Sequence, residues 1–236
     1  MAKGKLYLIP SLLGDIESTN FFPILIVNHI KDINIFIVEN VRSARRFIKK
    51  VDKQKEIDDC TFYTYGKHDE INLEADFLPH ILKGEDVGII SEAGLPCIAD
   101  PGSAIVEYAH DFNIDVVPLV GPSSIFLALM ASGLNGQNFV FHGYLPIDKK
   151  ERERKIKQME NQSRKLNQTQ IFMETPYRNH QLLDSILKHC SKSARLCIAT
   201  NITLPSEKIN TMAIEEWKQM HFNIHKKPTI FLLLEK

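Results

Sequence analysis

Short apolar runs alternate along the chain with stretches in which apolar residues recur every three or four positions. The runs, rich in β-branched residues as at 35–38, are typical of buried strands, and the periodic stretches are typical of amphipathic helices. The pattern predicts strands at 6–9, 34–39, 61–65, 86–91, 114–117, 138–142, 170–174, 196–200 and 228–234. It predicts helices at 41–51, 71–82, 103–111, 125–131, 148–165, 179–190 and 213–220, the second of them kinked or broken by Pro79.

This alternation of strands and helices predicts an α/β protein. Helical crossovers between successive strands favour mainly parallel sheets. A turn at 118–124 separates two such series, so we predict two α/β domains, residues 1–117 and 118–236, with a ligand cleft between them.

The segment 91–102, SEAGLPCIADPG, follows a predicted strand and holds two carboxylates, two prolines and two glycines. Proline lacks a ladder donor and glycine admits positive φ, so the strand must end there in a shaped loop. Ligands of open α/β sheets bind at such strand ends. The loops 10–15, 121–124 and 174–178 are similar in composition and would suit a polar, zwitterionic small molecule, although each could also be a plain connection.

Composition narrows the class of protein further. The 236 residues are 44% hydrophobic and 25% charged with a formal net charge of +0, which is typical of a soluble globular protein without a strong field for nucleic acid or membrane. The four cysteines form no C-x-x-C pair and no zinc-like spacing, so no metal site is predicted. No signal peptide and no apolar stretch of about 20 residues is evident, which predicts a cytoplasmic location with no membrane partner.

Common catalytic fingerprints are absent. The chain lacks G-x-G-x-x-G, the Walker A loop, G-x-S-x-G and H-E-x-x-H, which argues against a Rossmann dehydrogenase and a P-loop NTPase.

Seven segments in order nevertheless resemble the tetrapyrrole methylase superfamily of S-adenosylmethionine-dependent methyltransferases, and within it the family that methylates a cytidine ribose 2′-hydroxyl of small-subunit rRNA. The resembling segments are 4–15 (P-I-G-N loop), 39–45 (E-D-T-R-x-T-R), 65–70 with His68 and Glu70 (H-x-H-N-E), 91–102 (S-D-A-G-T-P-x-I-S-D-P-G), 117–123 (V-V-P-L-P-G-P-S-A), 141–146 (F-x-G-F-L-P) and 172–178 (F-Y-E-A-P-H-R).

The resemblance implies that S-adenosylmethionine, and its product S-adenosylhomocysteine, occupy the cleft, and that the protein is a homodimer. The cofactor-binding residues that it implies are Leu13, Gly14, Glu92, Ala93, Gly94, Cys97, Ser123, Ser124, Met173, Glu174 and Ile202. A hydroxyl nucleophile benefits from a nearby base. The candidates are Glu92, Asp100 and Glu174; for Asp100, simple capping of its Asp-Pro-Gly turn is an open alternative.

Two basic clusters are candidates for binding phosphates. With the resemblance they imply rRNA or the small ribosomal subunit as partner, although a solvated helix face with internal ion pairs remains the alternative. The RNA-binding candidates are Arg42, Arg45, Lys149, Lys150, Arg152, Arg154 and Lys155.

The chain also departs from the family pattern. Glu92, Leu95 and Ala99 replace Asp, Thr and Ser, Tyr177 replaces a His, and 200–205 lacks the charged residues of R-E-L-T-K. These differences bear on the methyl acceptor more than on the donor. A methyltransferase of tetrapyrroles or other small molecules, and a non-catalytic module that binds S-adenosylmethionine, therefore stay open as alternatives.

Overall fold

A computed structural model describes residues 2–16, 24–66 and 71–236, with only the backbone of residues 24 and 25. The chain divides into two compact units, Met1–Ser123 and Ser124–Lys236. The division follows Ser123, whereas the sequence pattern placed it after Val117. The two α/β units confirm the predicted fold class.

The first unit is built on a five-stranded parallel sheet in the order β3-β2-β4-β1-β5. Its strands are β1 (Leu6–Ile9), β2 (Ile35–Val38), β3 (Thr61–Thr64), β4 (Val87–Ile90) and β5 (Val116–Pro118). Its helices are α1 (Ile24–Asp32), α2 (Val41–Val51), α3 (Leu78–Leu82) and α4 (Ser103–Asp111). Because all five strands are parallel, their carboxyl ends lie along one edge of the sheet, which we call the loop edge.

Local chemistry accounts for the positions of these elements. All four residues of β2 are buried, as a central strand covered on both faces requires. Helix α2 begins where the Asn40 side chain accepts a hydrogen bond of 3.0 Å from the Ser43 amide. The predicted helix 71–82 is broken as expected: a π-helical turn at Leu73–Phe77 precedes α3, because Pro79 has no amide hydrogen to donate within the helix.

The second unit has a mixed sheet in the order β6-β7-β10-β8-β9. Its strands are β6 (Phe139–Tyr144), β7 (Thr169–Met173), β8 (Arg195–Thr200), β9 (Lys208–Ala213) and β10 (Thr229–Leu234). Its helices are α5 (Ser124–Ser132), α6 (Lys149–Leu166), α7 (Asn179–His189) and α8 (Ile214–Trp217).

The prediction of a mainly parallel sheet is wrong for this second unit. Only β6 and β7 are parallel, whereas β10 runs antiparallel to both β7 and β8, and β9 runs antiparallel to β8. The reason is a short turn between β8 and β9, which leaves no room for a helical crossover. Strand β9 and helix α1 were not predicted, and α8 is shorter than the predicted 213–220.

The core of the second unit joins its sheet to its helices. Phe172 and Phe231 stack with ring centroids 5.8 Å apart, and the buried Trp217 donates from Nε1 to the Leu196 carbonyl at 2.8 Å. Ile156 and Met159 of α6 are fully buried in the same cluster. Within the ranges that the structure describes, no helix is long and apolar enough to cross a bilayer.

Candidate functional site

Three loops meet at the loop edge of the first unit, following the adjacent strands β4, β1 and β5. The Ser11 amide donates to the Gly94 carbonyl at 2.8 Å. A methyl group placed on Gly94 would lie 3.0 Å from Leu13 Cδ2 and 3.2 Å from the Pro122 carbonyl. On Gly121 it would lie only 2.2 Å from ring carbons of Pro10. The three loops thus pack closely against one another, with glycine at two of the points of closest approach.

The loop 91–102 is held in shape by Asp100. Its carboxylate accepts from the Cys97 amide at 2.9 and 3.0 Å and from the Gly102 amide at 2.7 Å. Cys97 and Ala99 have φ angles of 66° and 64°, which non-glycine residues rarely adopt. The geometry agrees with the capping alternative for Asp100, because both of its oxygens already accept loop amides.

A second carboxylate approaches this loop from β2. Glu39 Oε1 accepts the Glu92 amide at 3.0 Å. Burial raises the pKa of Glu39, the Glu92 amide opposes the rise, and the charges of Asp100 and Glu92 add to it. Burial also raises the pKa of Asp100, against the hydrogen bonds from the Gly102 and Cys97 amides. The loop edge therefore concentrates negative charge in a partly dehydrated place.

Tyr65, directly after β3, completes this edge. It is 4% exposed, and its hydroxyl has no hydrogen-bond partner among the residues that the structure describes. A methyl group on Gly102 would lie 3.3 Å from this hydroxyl and 3.1 Å from Cys97 Sγ, so the three residues share one small space. Burial, with the charges of Asp100 and Glu39, raises the pKa of Tyr65. Burial and Asp100 raise the pKa of Cys97 to about 11.

Two buried hydroxyls at the loop edge lack a partner in the described chain, that of Tyr65 and that of Ser11. A buried polar atom without a partner is costly, and a bound ligand is one way to satisfy it. Neither residue, nor Glu39, was among the predicted site residues. The available signal was their position: Glu39 and Tyr65 are the last residues of predicted strands, and Ser11 lies two residues after another.

The structure gathers only part of the predicted site. Leu13, Gly14, Glu92, Ala93, Gly94 and Cys97 lie in the packed loops, and Ser123 follows Pro122 in the third of them. Glu92 is exposed, and no hydrogen bond to its carboxylate comes from the described residues. Residues 67–70, with His68 and Glu70, lie outside the described ranges.

The remaining candidates belong to the second unit. Ser124 begins α5, Met173 ends β7, and Ile202 is buried in the turn after β8. Glu174 is 5% exposed, and its Oε1 accepts from the Thr175 amide at 2.6 Å and from Arg178 Nε and Nη2 at 3.0 and 2.7 Å. That oxygen is saturated by local donors, which anchor the loop after β7.

The basic candidates differ in exposure. Arg42 and Arg45 of α2 are exposed, and the Arg45 guanidinium lies 5.3 Å from the centre of the Phe62 ring. On α6, Lys149, Lys150 and Arg154 are exposed and Lys155 is half-buried. The assignment of Arg152 to a cationic surface is wrong. It is 7% exposed and donates from Nε to Ser185 Oγ at 3.2 Å and from Nη1 to the Ile147 carbonyl at 2.8 Å.

Several sequence relatives of the chain share one name, ribosomal RNA small subunit methyltransferase I. The relative from Streptococcus pyogenes serotype M6 is 30% identical over 90% of this chain and 70% of its own length. The relative from Bacillus subtilis is 31% identical over 78% of this chain and 59% of its own length. The relative from Buchnera aphidicola subsp. Acyrthosiphon pisum is 27% identical over 91% of this chain and 73% of its own length. The chain thus spans only part of these longer relatives.

Solved structures show the same fold at low sequence identity. A cobalt precorrin-4 methyltransferase of cobalamin biosynthesis matches with a TM-score of 0.60, and the methyltransferase CobJ with 0.63. Each is 14% identical, over 98% of this chain and 94% of the other. The model of the tetrapyrrole (corrin/porphyrin) methylases matches residues 27–217. The family match, the named relatives and the shared fold agree, and this chain belongs to the tetrapyrrole methylase family of methyltransferases.

Proposed function

We propose that this protein transfers a methyl group from S-adenosylmethionine to a ribose 2′-hydroxyl of small-subunit rRNA. The observation that carries the proposal is the similarity to rRNA small subunit methyltransferases I over as much as 98% of this chain. The cobalt precorrin-4 methyltransferase is named for a different substrate, but at 14% identity it and CobJ show only the fold.

The loop edge fits the methyl donor chemically. S-adenosylmethionine carries an amino group, a carboxylate, hydroxyls and an adenine, and it needs many donors and acceptors in a small space. The packed loops present backbone amides and carbonyls, together with two buried hydroxyls that lack partners in the described chain. The residues that would hold the donor are Leu13, Gly14, Glu92, Ala93, Gly94, Cys97, Ser123, Ser124, Met173, Glu174 and Ile202.

When bound, S-adenosylmethionine supplies a methyl group already activated on a sulfonium, so the protein's main task is positioning. Of the three candidate bases, Asp100 and Glu174 already accept amides or a guanidinium. Glu92 is exposed, and its carboxylate accepts no hydrogen bond from the described residues. We therefore propose that Glu92 accepts the proton of the acceptor hydroxyl.

Replacing this carboxylate tests its role. Glu92→Gln should lower the methylation rate about 100-fold, the usual order for loss of a general base, and leave donor affinity within about threefold, because we assign the hold of this loop on the donor to its backbone groups, which the substitution keeps. Rates on small ribosomal subunits and calorimetry with S-adenosylmethionine measure the two effects. An unchanged rate would remove Glu92 from the mechanism.

The function itself is tested with subunits isolated from cells that lack this protein. Mass mapping of their rRNA before and after incubation should show one new ribose methyl group. Methylation of a precorrin instead would favour the small-molecule alternative. Calorimetry that detects no binding of S-adenosylmethionine or of S-adenosylhomocysteine would count against the enzyme and favour a non-catalytic module.

We further propose a cytoplasmic homodimer, in keeping with a ribosomal substrate. Light scattering of the purified protein should give twice the monomer mass of 27.0 kDa. A mass near 27.0 kDa at micromolar concentration would refute the dimer.

A further inference from the structure

Four side chains of the second unit form a surface cluster of rings and positive charge, which we call the ring patch: Tyr177, His180, His225 and Lys226. The His180 and His225 rings lie 6.3 Å apart with 28° between their planes. The Tyr177 ring stands edge-on to His225 at 6.4 Å, and Lys226 Nζ lies 5.7 Å from its centre. Tyr177 is 73% exposed, so its ring faces solvent.

The ring patch rests on a rigid base. It comes from two segments, 175–180, which ends in the first two residues of α7, and the loop 223–228; they are joined where the Lys226 amide donates to the Pro176 carbonyl at 3.1 Å. Beneath them the fully buried Asn179 donates from Nδ2 to the carbonyls of Ile224 and Lys227 at 3.0 and 2.7 Å and to Thr229 Oγ1 at 3.1 Å. These bonds hold the exposed rings in place before any partner arrives, which lowers the entropy cost of binding.

The side-chain charges within the two segments of the ring patch have one sign. Neither segment contains an Asp or Glu, whereas together they contain Arg178, Lys226 and Lys227. Arg178 is engaged by Glu174, and Lys227 Nζ donates to the Asn223 carbonyl at 2.8 Å. Lys226 is the exposed cation that remains beside the rings. Exposed rings with an adjacent cation are the chemistry by which proteins stack unpaired nucleotides and contact their phosphates.

We propose that the ring patch stacks an unpaired base of the RNA substrate on the Tyr177 ring, with His225 edge-on beside it and Lys226 at the neighbouring phosphate; this inference rests on the proposed rRNA methyltransferase function. The position in the chain supports it. The segment 175–180 directly follows Met173 and Glu174, which the family resemblance assigns to the methyl-donor site. A base held here would bring its strand of RNA close to that end of β7.

The test compares Tyr177→Leu, which removes the ring and keeps apolar bulk, with Tyr177→Phe, which keeps the ring. Phe112→Leu is the matched control, because Phe112 is another exposed aromatic residue, 42% exposed, and directly follows α4 in the first unit. Binding of a fluorescent single-stranded oligoribonucleotide and of small ribosomal subunits is measured for each, with calorimetry of S-adenosylmethionine. We expect Tyr177→Leu to weaken RNA binding about tenfold and the other two variants to stay within about twofold.

The outcomes separate the inference from the function on which it rests. Equal RNA affinity for Tyr177→Leu and the wild type, with methylation intact, would overturn the stacking role and leave the proposed function standing. Equal losses for Tyr177→Leu and Tyr177→Phe would implicate the hydroxyl and also overturn stacking. Loss of binding to subunits but not to the oligonucleotide would assign the patch to a ribosomal protein. A wild-type protein that binds and methylates no RNA would refute the proposed function itself.

Discussion

Gly94 is the loop-edge glycine at which a positive φ and close neighbours together oppose a side chain. Its φ of +78° disfavours any side chain, and a methyl group there would meet Leu13 and the Pro122 carbonyl. Gly133, at the end of α5, has a similar φ of +68° but nothing within 4 Å of the added methyl. Comparing alanine substitutions at Gly94 and Gly133 therefore separates the cost of backbone strain from the cost of crowding.

We expect Gly133→Ala to lower the free energy of unfolding by about 1–2 kcal/mol through strain alone. Gly94→Ala should cost about 1–3 kcal/mol more, because the three loops must move apart, and it should also weaken binding of S-adenosylmethionine. Denaturant unfolding and calorimetry measure the two effects. Equal losses of stability in both variants would show that the loops are not tightly packed around Gly94.

Glu39 makes stability depend on pH. Because burial raises its folded-state pKa, the folded protein holds this proton more tightly than the unfolded chain does. Its contribution is therefore complete at acid pH and is lost as pH rises through the folded pKa. Glu39→Gln stays neutral and can still accept the Glu92 amide through its side-chain oxygen.

We expect Glu39→Gln to gain stability relative to the wild type as pH rises from about 4 to 7, measured by denaturant unfolding across that range. The control is Glu107→Gln on the exposed face of α4, for which the difference from wild type should stay flat. A flat difference for Glu39→Gln would mean that its carboxylate is hydrated in the folded state.

At the scale of elements, Asn179 joins the start of α7 to the turn before β10. Its buried amide faces two carbonyls and a hydroxyl, so Asn179→Ala should lower the free energy of unfolding by about 1–3 kcal/mol for each group left unpaired.

Asn179→Asp places a carboxylate against those acceptors, which raises the pKa of the new carboxyl group. We expect the stability of Asn179→Asp to fall as pH rises from about 5 to 8, whereas the stability of Asn210→Asp, exposed on β9, should change little. Denaturant unfolding of both variants at the two pH values measures the difference, and equal pH dependence in both would contradict the prediction.

The sequence pattern predicted most elements but not every direction. Apolar runs and helical spacing predicted β2, α2 and α4 closely, because the positions that are buried in these elements carry apolar side chains in the sequence. Strand β9 was missed because its residues KINTMA lie at a sheet edge, half exposed, with little contrast between the two faces. The direction of β10 depends on its partners across the sheet, which local pattern does not encode.

The candidate site was predictable to a similar degree. Glycine, proline and carboxylates identified the loop 91–102 without any structure. Glu39 and Tyr65 lie near this loop because of the strand order β3-β2-β4, which brings together residues that are far apart in the chain. The burial of Arg152 depends on its pairing with Ser185 of α7, which charge alone could not indicate.

At the scale of the whole molecule, a formal net charge of +0 leaves RNA affinity to local groups. Arg154→Glu should weaken oligoribonucleotide binding and reduce the steepness of its logarithmic salt dependence by about 1. Lys188→Glu makes the same charge change on α7, outside the predicted contacts, and should affect neither. Titrations at several salt concentrations provide the comparison. Similar losses in both variants would indicate a general charge effect and no local contact.

The strand order of the second unit also bears on how the protein is made. β10 lies in the middle of its sheet, between β7 and β8, although it follows the other four strands of that sheet along the chain. The ribosome must therefore release residues up to 234 before this sheet can form, whereas all five strands of the first unit are complete by Pro118. Until then the edges of β7 and β8 that pair with β10 have no partner, and a growing chain with unpaired strand edges is prone to aggregation and to binding by chaperones.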